Sequence, residues 1–146
     1  MKRSMRRIFP SIVGGILVAV AGLGGVPTTS HAAMMAPVRV VHQSQFGQIL
    51  ATPKQQALYY FTPEKDGKIH CTGSCAKVWP PLLVGMSEHV PAHITGAMGM
   101  FGTITRPDGT HQVTFSGKPL YTFTSDKKPL QVLCNGVDGW YVVRVH

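Results

Sequence analysis

The strongest constraint on this chain is a motif that it carries twice. Tyr59-x-Phe61-x-x-Glu64 is answered by Tyr121-x-Phe123-x-x-Asp126, 62 residues further on, with Leu before each Tyr and Thr after each Phe. A repeated unit this small cannot bury its own apolar face and must pack against its copy. In an extended strand Tyr59 and Phe61 point to one side and Leu58 and Tyr60 to the other. Such a strand, apolar on both faces, is expected to be central, with cover above and below. The spacing therefore predicts a small all-β domain of two related β-hairpin repeats. Tyr59, Phe61, Tyr121, Phe123, Trp79 and Trp140 are its shared aromatic core.

The intervening chain supports that fold class. Val38–Val41, Phe46–Ala51 and Ala57–Thr62 are short β-prone runs separated by turn residues. Arg106-Pro107-Asp108-Gly109 suits a type I turn between Thr103–Thr105 and Thr110–Phe115. Ser116–Pro119 turns into Leu120–Thr124, and Trp140–Val145 closes the chain as an aromatic and β-branched strand. Helix is expected only as a turn or two from Cys75 to Trp79. Thr72-Gly73-Ser74 would cap it and Pro80-Pro81 would stop it.

Residues 1–32 have the anatomy of a secretory signal peptide. Lys2, Arg3, Arg6 and Arg7 precede an apolar, Gly-rich run from Ile8 to Val26, and Ser30-His31-Ala32 offers a small-residue cleavage site. Residues 33–45 follow as an expected flexible leader, and 46–146 as the repeat domain. Removing the signal takes four of the 14 basic residues and none of the six acidic ones, halving the formal charge from +8 to +4. The remaining cations are scattered, with no arginine-rich run to suggest nucleic acid. No stable membrane span is expected after cleavage. The expected location is periplasmic or secreted.

Three cysteines in an exported chain suggest one disulfide and one remaining thiol. Cys71 and Cys75, four apart on a tight turn, fall near the Cα separation that a disulfide favours. A redox-active pair is the functional rival, although the spacing is not Cys-x-x-Cys. Cys134 is left as a free thiol, an intermolecular partner or the true mate of one of the other two.

Two carboxylates in matched motifs raise the question of acid–base work. Glu64 precedes Lys65, and Asp126 precedes Lys127 and Lys128, so both read as exposed acids that fix turns. No nucleophile–base order, phosphate loop or zinc pattern appears, and no catalytic residue is expected. His89, His93, Met98 and Met100, with Met86 as a weaker addition, lie in a Gly/Pro-rich loop. Thioether and imidazole donors suit Cu(I). The alternative is that Met98 and Met100 fill the β core.

Leu58-Tyr-Tyr-Phe, Cys71-Thr-Gly-Ser-Cys75, Trp79-Pro-Pro-Leu82, Gly102–Gly109 and Gly117–Asp126 occur in an order that resembles the bacterial secreted-repeat family. Its members are predicted lipoproteins with a Tyr-x-aromatic-x-x-Asp motif. The resemblance covers roughly Gln48 to Val143. It implies an exported, β-rich bacterial domain of uncharacterised function. Glu64 stands where the motif has Asp, and no cysteine lies near the cleavage site to accept a lipid. The expected role is a non-enzymatic binding or envelope-associated module, with an envelope partner or a small ligand. The alternative is a copper-binding or electron-transfer protein using the His/Met loop.

Overall fold

The computed structural model describes residues 36–146, so the signal segment 1–32 and its cleavage site lie outside the described residues. Strand β1 (Arg39–Gln43) pairs antiparallel with β2 (Gly47–Ala51), from Arg39 opposite Ala51 to Gln43 opposite Gly47. The side-chain oxygen of Gln43 accepts from the N–H groups of Gln45 and Phe46 and closes the turn. The later part of the stretch expected as a flexible leader is thus the first strand of the domain.

The second hairpin repeats the first. Strand β5 (Phe101–Thr105) pairs with β6 (His111–Phe115) across Arg106-Pro107-Asp108-Gly109. The Gly109 N–H bonds to the Arg106 carbonyl at 2.9 Å, as expected of the turn. Asp108 accepts from the Thr110 backbone N–H and hydroxyl, and those bonds hold its carboxyl below the usual range. Strand β6 then returns into β7 (Lys118–Pro119) through Ser116 and Gly117, both at positive φ. A two-residue hairpin with positive φ at both centres matches the twist of its strands.

The two motif strands meet at the middle. Strand β3 (Tyr59–Phe61) pairs with β8 (Trp140–Val142). On the other side of β3, Tyr59 and Tyr121 exchange both backbone hydrogen bonds, at 2.8 and 2.9 Å. Equivalent residues paired with each other in an antiparallel ladder imply a local two-fold axis between them. The neighbouring bonds obey it. Val143 N–H bonds to Leu58 as Leu82 N–H bonds to Leu120, and Thr62 N–H to Gly139 as Thr124 N–H to Val78. Each repeat's tryptophan-bearing segment therefore lies beside the other repeat's motif strand, and the repeats are exchanged rather than stacked.

The outer pairings continue this pattern. Leu50 N–H bonds to Val143, and Val113 N–H to Leu82. β4 (Leu83–Val84) pairs with β6. Strand alternation then splits the apolar residues into two cores. Leu50, Leu58, Val113, Leu120 and Val143 face one cluster, while Ile49, Tyr59, Tyr121, Trp140 and Val142 face the other. The expectation that the motif strands are covered on both faces holds.

Among the described residues the one α-helix, α1 (Ser74–Val78), starts one residue earlier than expected, and its N-cap is Gly73, which has no side chain with which to cap. A 3-10 turn covers Thr62–Glu64. Among the described residues no helix is long and apolar enough to cross a membrane.

Candidate functional site

Each motif ends in a carboxylate that the strand geometry carries inward. Glu64 is 0 % exposed and Asp126 7 %, where the neighbouring lysines had suggested exposed acids. The reason is the partner each acid finds across the axis. Tyr121 donates its hydroxyl to Glu64 at 2.8 and 2.9 Å, and Tyr59 donates to Asp126 at 2.6 Å. Both tyrosines are fully buried. Burial, with the adjacent carboxylate, pushes both phenols far above their ordinary range.

Each acid also fixes the turn that follows it. Glu64 accepts from the N–H groups of His70 and Cys71 at 2.6 and 2.7 Å, and Asp126 from that of Leu133 at 3.1 Å. Cys71 and Leu133 each lie seven residues beyond their acid. The acids are thus turn-fixing and buried at once, which long-range pairing alone makes tolerable. Burial raises the Asp126 carboxyl above the usual carboxylate range, against the hydrogen bonds from Tyr59 and Leu133.

The aromatic residues form a column on the same axis. Trp79 and Trp140, equivalent in the two repeats, stack with centroids 3.9 Å apart and planes 4° from parallel. Phe61 caps Trp140 at 4.6 Å and Phe123 caps Trp79 at 4.2 Å, both stacked. Tyr59 and Tyr121 meet Trp79 and Trp140 edge-on at 5.2 and 5.1 Å. Both tryptophans and both tyrosines are buried, whereas the two phenylalanines are only half-buried. Gly139 makes the close approach possible: at φ +85°, a Cβ there would lie 2.8 Å from the Thr62 hydroxyl.

Cys71 and Cys75 are joined, with Cα atoms 5.2 Å apart, and Cys134 is free and half-buried. Burial, then the charges of Asp138 and Asp126, pushes the Cys134 thiol up, which disfavours a reactive thiolate. Sequence reasoning passed over the group beneath the disulfide. Arg106 is buried, donating to the Cys71 carbonyl at 2.8 Å and to the Gln112 side chain. Among the described residues its Nε has no partner.

The His/Met loop is a surface feature. His89 and His93 are exposed, and Met98 and Met100 are 83 % and 61 % exposed. The core-filling reading of the two methionines is overturned, because Phe101 and Phe115 fill that space beside them. Among the described residues no three His, Cys, Asp or Glu side chains converge as a metal set.

The two-fold likeness also breaks at an open surface. Tyr60 of the first motif answers Thr122 of the second, and Tyr141, after Trp140, answers Pro80, after Trp79. Tyr60 and Tyr141 pair across β3 and β8 and stack at 5.8 Å. They line a cavity of about 390 Å³ with Phe115, Ser116, Lys118, Leu120, Asn135, Val142, Val143 and Arg144. The Lys118 ammonium lies 4.4 Å over the Tyr60 ring. Arg144 is exposed and tethered through Nε to the Phe46 carbonyl, and among the described residues its outer guanidinium nitrogens have no partner. No carboxylate lines this groove. Neither tyrosine had been singled out from sequence, although the Tyr60–Thr122 mismatch was visible in the aligned motifs.

No curated protein and no solved structure matches the chain. A family model described as a secreted repeat of unknown function matches it twice, over residues 40–83 and 102–144. These segments are the two halves exchanged about the axis, with the His/Met loop as the unmatched connection. The matched description supports an exported protein. Together the two matches span more than half of the chain, which therefore belongs to this family of secreted repeats.

Proposed function

We propose that this protein is a non-enzymatic binding module of the periplasm or extracellular space. Its contact surface is the Tyr60–Tyr141 groove. One observation carries the reading: at this surface the second motif and its partner segment have no counterpart to the pair of aromatic rings beside Lys118 and Arg144. Packing asks for Tyr, Phe and Trp at the axis, but nothing in the core asks for Tyr141, which is 38 % exposed. A flat aromatic wall with two cations and no acid suits an anionic ligand that has an apolar face. Acidic saccharides, the charged components of bacterial envelopes, fit that description. The rings would stack on the sugar face, and the cations would pair with its carboxylate.

The experiment is a heteronuclear NMR titration with an oligogalacturonate, with an uncharged malto-oligosaccharide as control. The acidic sugar should shift the resonances of Tyr60, Lys118, Tyr141 and Arg144, and the binding should weaken as salt is raised. Tyr141→Ala should abolish the shifts without unfolding the domain. Equal shifts with the neutral sugar, or shifts confined to other surfaces, would reject the ligand class.

A second reading, that the protein binds copper, draws on the exposure of the loop thioethers. Met86, Met98 and Met100 are all exposed. That is an unusual use of apolar side chains unless the sulfur has a partner. A Cu(I) competition titration on wild type and Met98→Leu/Met100→Leu separates the possibilities. Weaker binding by the variant, with unchanged stability, is expected of a site that also uses His89 and His93. Equal, weak binding by both removes the copper reading.

A further inference from the structure

The core sets two buried carboxylates against two phenols, and packing alone does not ask for that. A buried hydroxyl is satisfied by any neutral acceptor, whereas a buried carboxylate carries a desolvation cost that well-packed apolar residues avoid. Beyond accepting from the backbone N–H groups of the next turn, a carboxylate adds basicity at the phenolic proton. Tyr59 offers that proton to Asp126 Oδ2 across 2.6 Å, and Tyr121 offers its own to Glu64 at 2.8 Å. A phenol that loses an electron becomes a strong acid and must shed its proton at once. An acceptor already in hydrogen-bond contact removes the need for water to enter.

The adjoining indoles supply the other half of such chemistry. Preferred aromatic pairs keep their centroids about 4.5–7 Å apart, whereas Trp79 and Trp140 stack nearly parallel at 3.9 Å. A face-to-face pair shares a positive charge across both rings and so eases the loss of one electron. Each indole also has a tyrosine edge against it, at 5.2 and 5.1 Å. The donor, the shared hole and the proton acceptor are therefore in contact twice, related by the axis.

We propose that the core is a one-electron relay, in which the Trp79–Trp140 pair passes an oxidising equivalent to Tyr59 or Tyr121 and Asp126 or Glu64 takes the phenolic proton. An outer-sphere one-electron oxidant outside the protein removes one electron from the tryptophan pair and is itself reduced. One electron then moves from the tyrosine to the indole radical cation. The tyrosine O–H bond breaks, a carboxyl O–H bond forms, and a neutral tyrosyl radical stands beside a neutral acid. Restoration takes one electron from a soluble reductant of the ascorbate class, and the same proton returns. The relay is independent of the groove and of copper, and its tyrosines and carboxylates are the motif residues themselves.

The chain has four tyrosines, so Tyr60→Phe/Tyr141→Phe leaves only the buried two and touches no ring of the tryptophan stack. Photogenerated ruthenium(III) tris-bipyridine serves as the oxidant, with transient absorption and freeze-quench EPR as readouts. In this background an indole radical should give way to a neutral tyrosyl radical, more slowly in D2O. Adding Asp126→Asn and Glu64→Gln should slow or abolish the conversion and leave a long-lived indole radical. Absence of any tyrosyl signal in the background variant overturns the relay. So does a tyrosyl signal indifferent to both D2O and the carboxylate substitutions. Because the first of these outcomes needs only the two Tyr→Phe substitutions in the groove, a failure of the core variants to fold does not protect the proposal.

Discussion

The two repeats share one backbone plan but secure it differently. In the first, Glu64 gathers Tyr121 and two backbone N–H groups, a disulfide pins the next turn, and buried Arg106 reaches over from the second hairpin to the Cys71 carbonyl. In the second, Asp126 gathers Tyr59 and one N–H, and Cys134 has no partner. The axis imposes likeness on the residues it passes through, because Trp79 stacks on Trp140 and Tyr59 pairs with Tyr121 there. Away from the axis each repeat is free to find its own fastening, and the first has the denser one. The comparison separates what the fold requires from what one repeat has added.

The largest expected effect tests the shared part. Trp79→Ala and Trp140→Ala each remove a ring from the same stack, so each should cost about 3–5 kcal/mol, and the two costs should agree. Urea unfolding of both variants measures this. One cheap and one costly truncation would show that the column belongs to a single repeat.

The next effect tests the difference. Glu64→Ala strands the Tyr121 hydroxyl and two backbone donors, at a cost of about 3 kcal/mol or more. Asp126→Ala strands one hydroxyl and one backbone donor and should cost about 2 kcal/mol. Reversal of that order, measured in the same urea series, would mean that the fastenings around Glu64 are redundant. Replacing both cysteines, Cys71→Ser/Cys75→Ser, should then lower stability by about 2 kcal/mol, the loop-entropy contribution of so short a bridge. A loss well below that would place the turn's order in the Glu64 and Arg106 bonds instead.

Much of this plan was legible beforehand because it depends on local periodicity. The Tyr-x-Phe alternation, apolar on both faces, required a doubly covered strand, and the Arg106–Gly109 turn followed from its Pro and Gly. The burial of Glu64 and Asp126 was not legible, since their acceptor roles depend on a tyrosine 57 or 67 residues away and on backbone donors that have no sequence signature. Lysines beside both acids pointed the wrong way: Lys65, Lys127 and Lys128 face solvent while the carboxyls turn inward. Tyr60 and Tyr141 escaped notice for a different reason. They become conspicuous only when Thr122 and Pro80 are known to occupy the equivalent places, which requires the exchanged pairing as well as the repeat.

The smallest expected effect is a pH dependence carried by Asp126. Burial raises the folded-state pKa of Asp126 above its ordinary value of 3.8. The folded protein therefore holds this proton more tightly than the unfolded chain does. Between the ordinary value and the raised one, the folded state binds more protons at this site, so stability falls as pH rises through that window. The contribution is fully present below pH 3.8 and is lost once the folded carboxyl has ionised. Asp126→Asn cannot ionise, and its amide can still bridge the same two groups, its oxygen accepting from the Leu133 N–H and its nitrogen donating to the Tyr59 hydroxyl. The difference in unfolding free energy between wild type and Asp126→Asn isolates this group from every other titration. Wild type should lose ground to the variant as pH rises out of the acid range, and the gap should then stay constant toward neutrality. A wild type that gains on the variant over the same range would mean that the Tyr59 and Leu133 hydrogen bonds outweigh burial at Asp126.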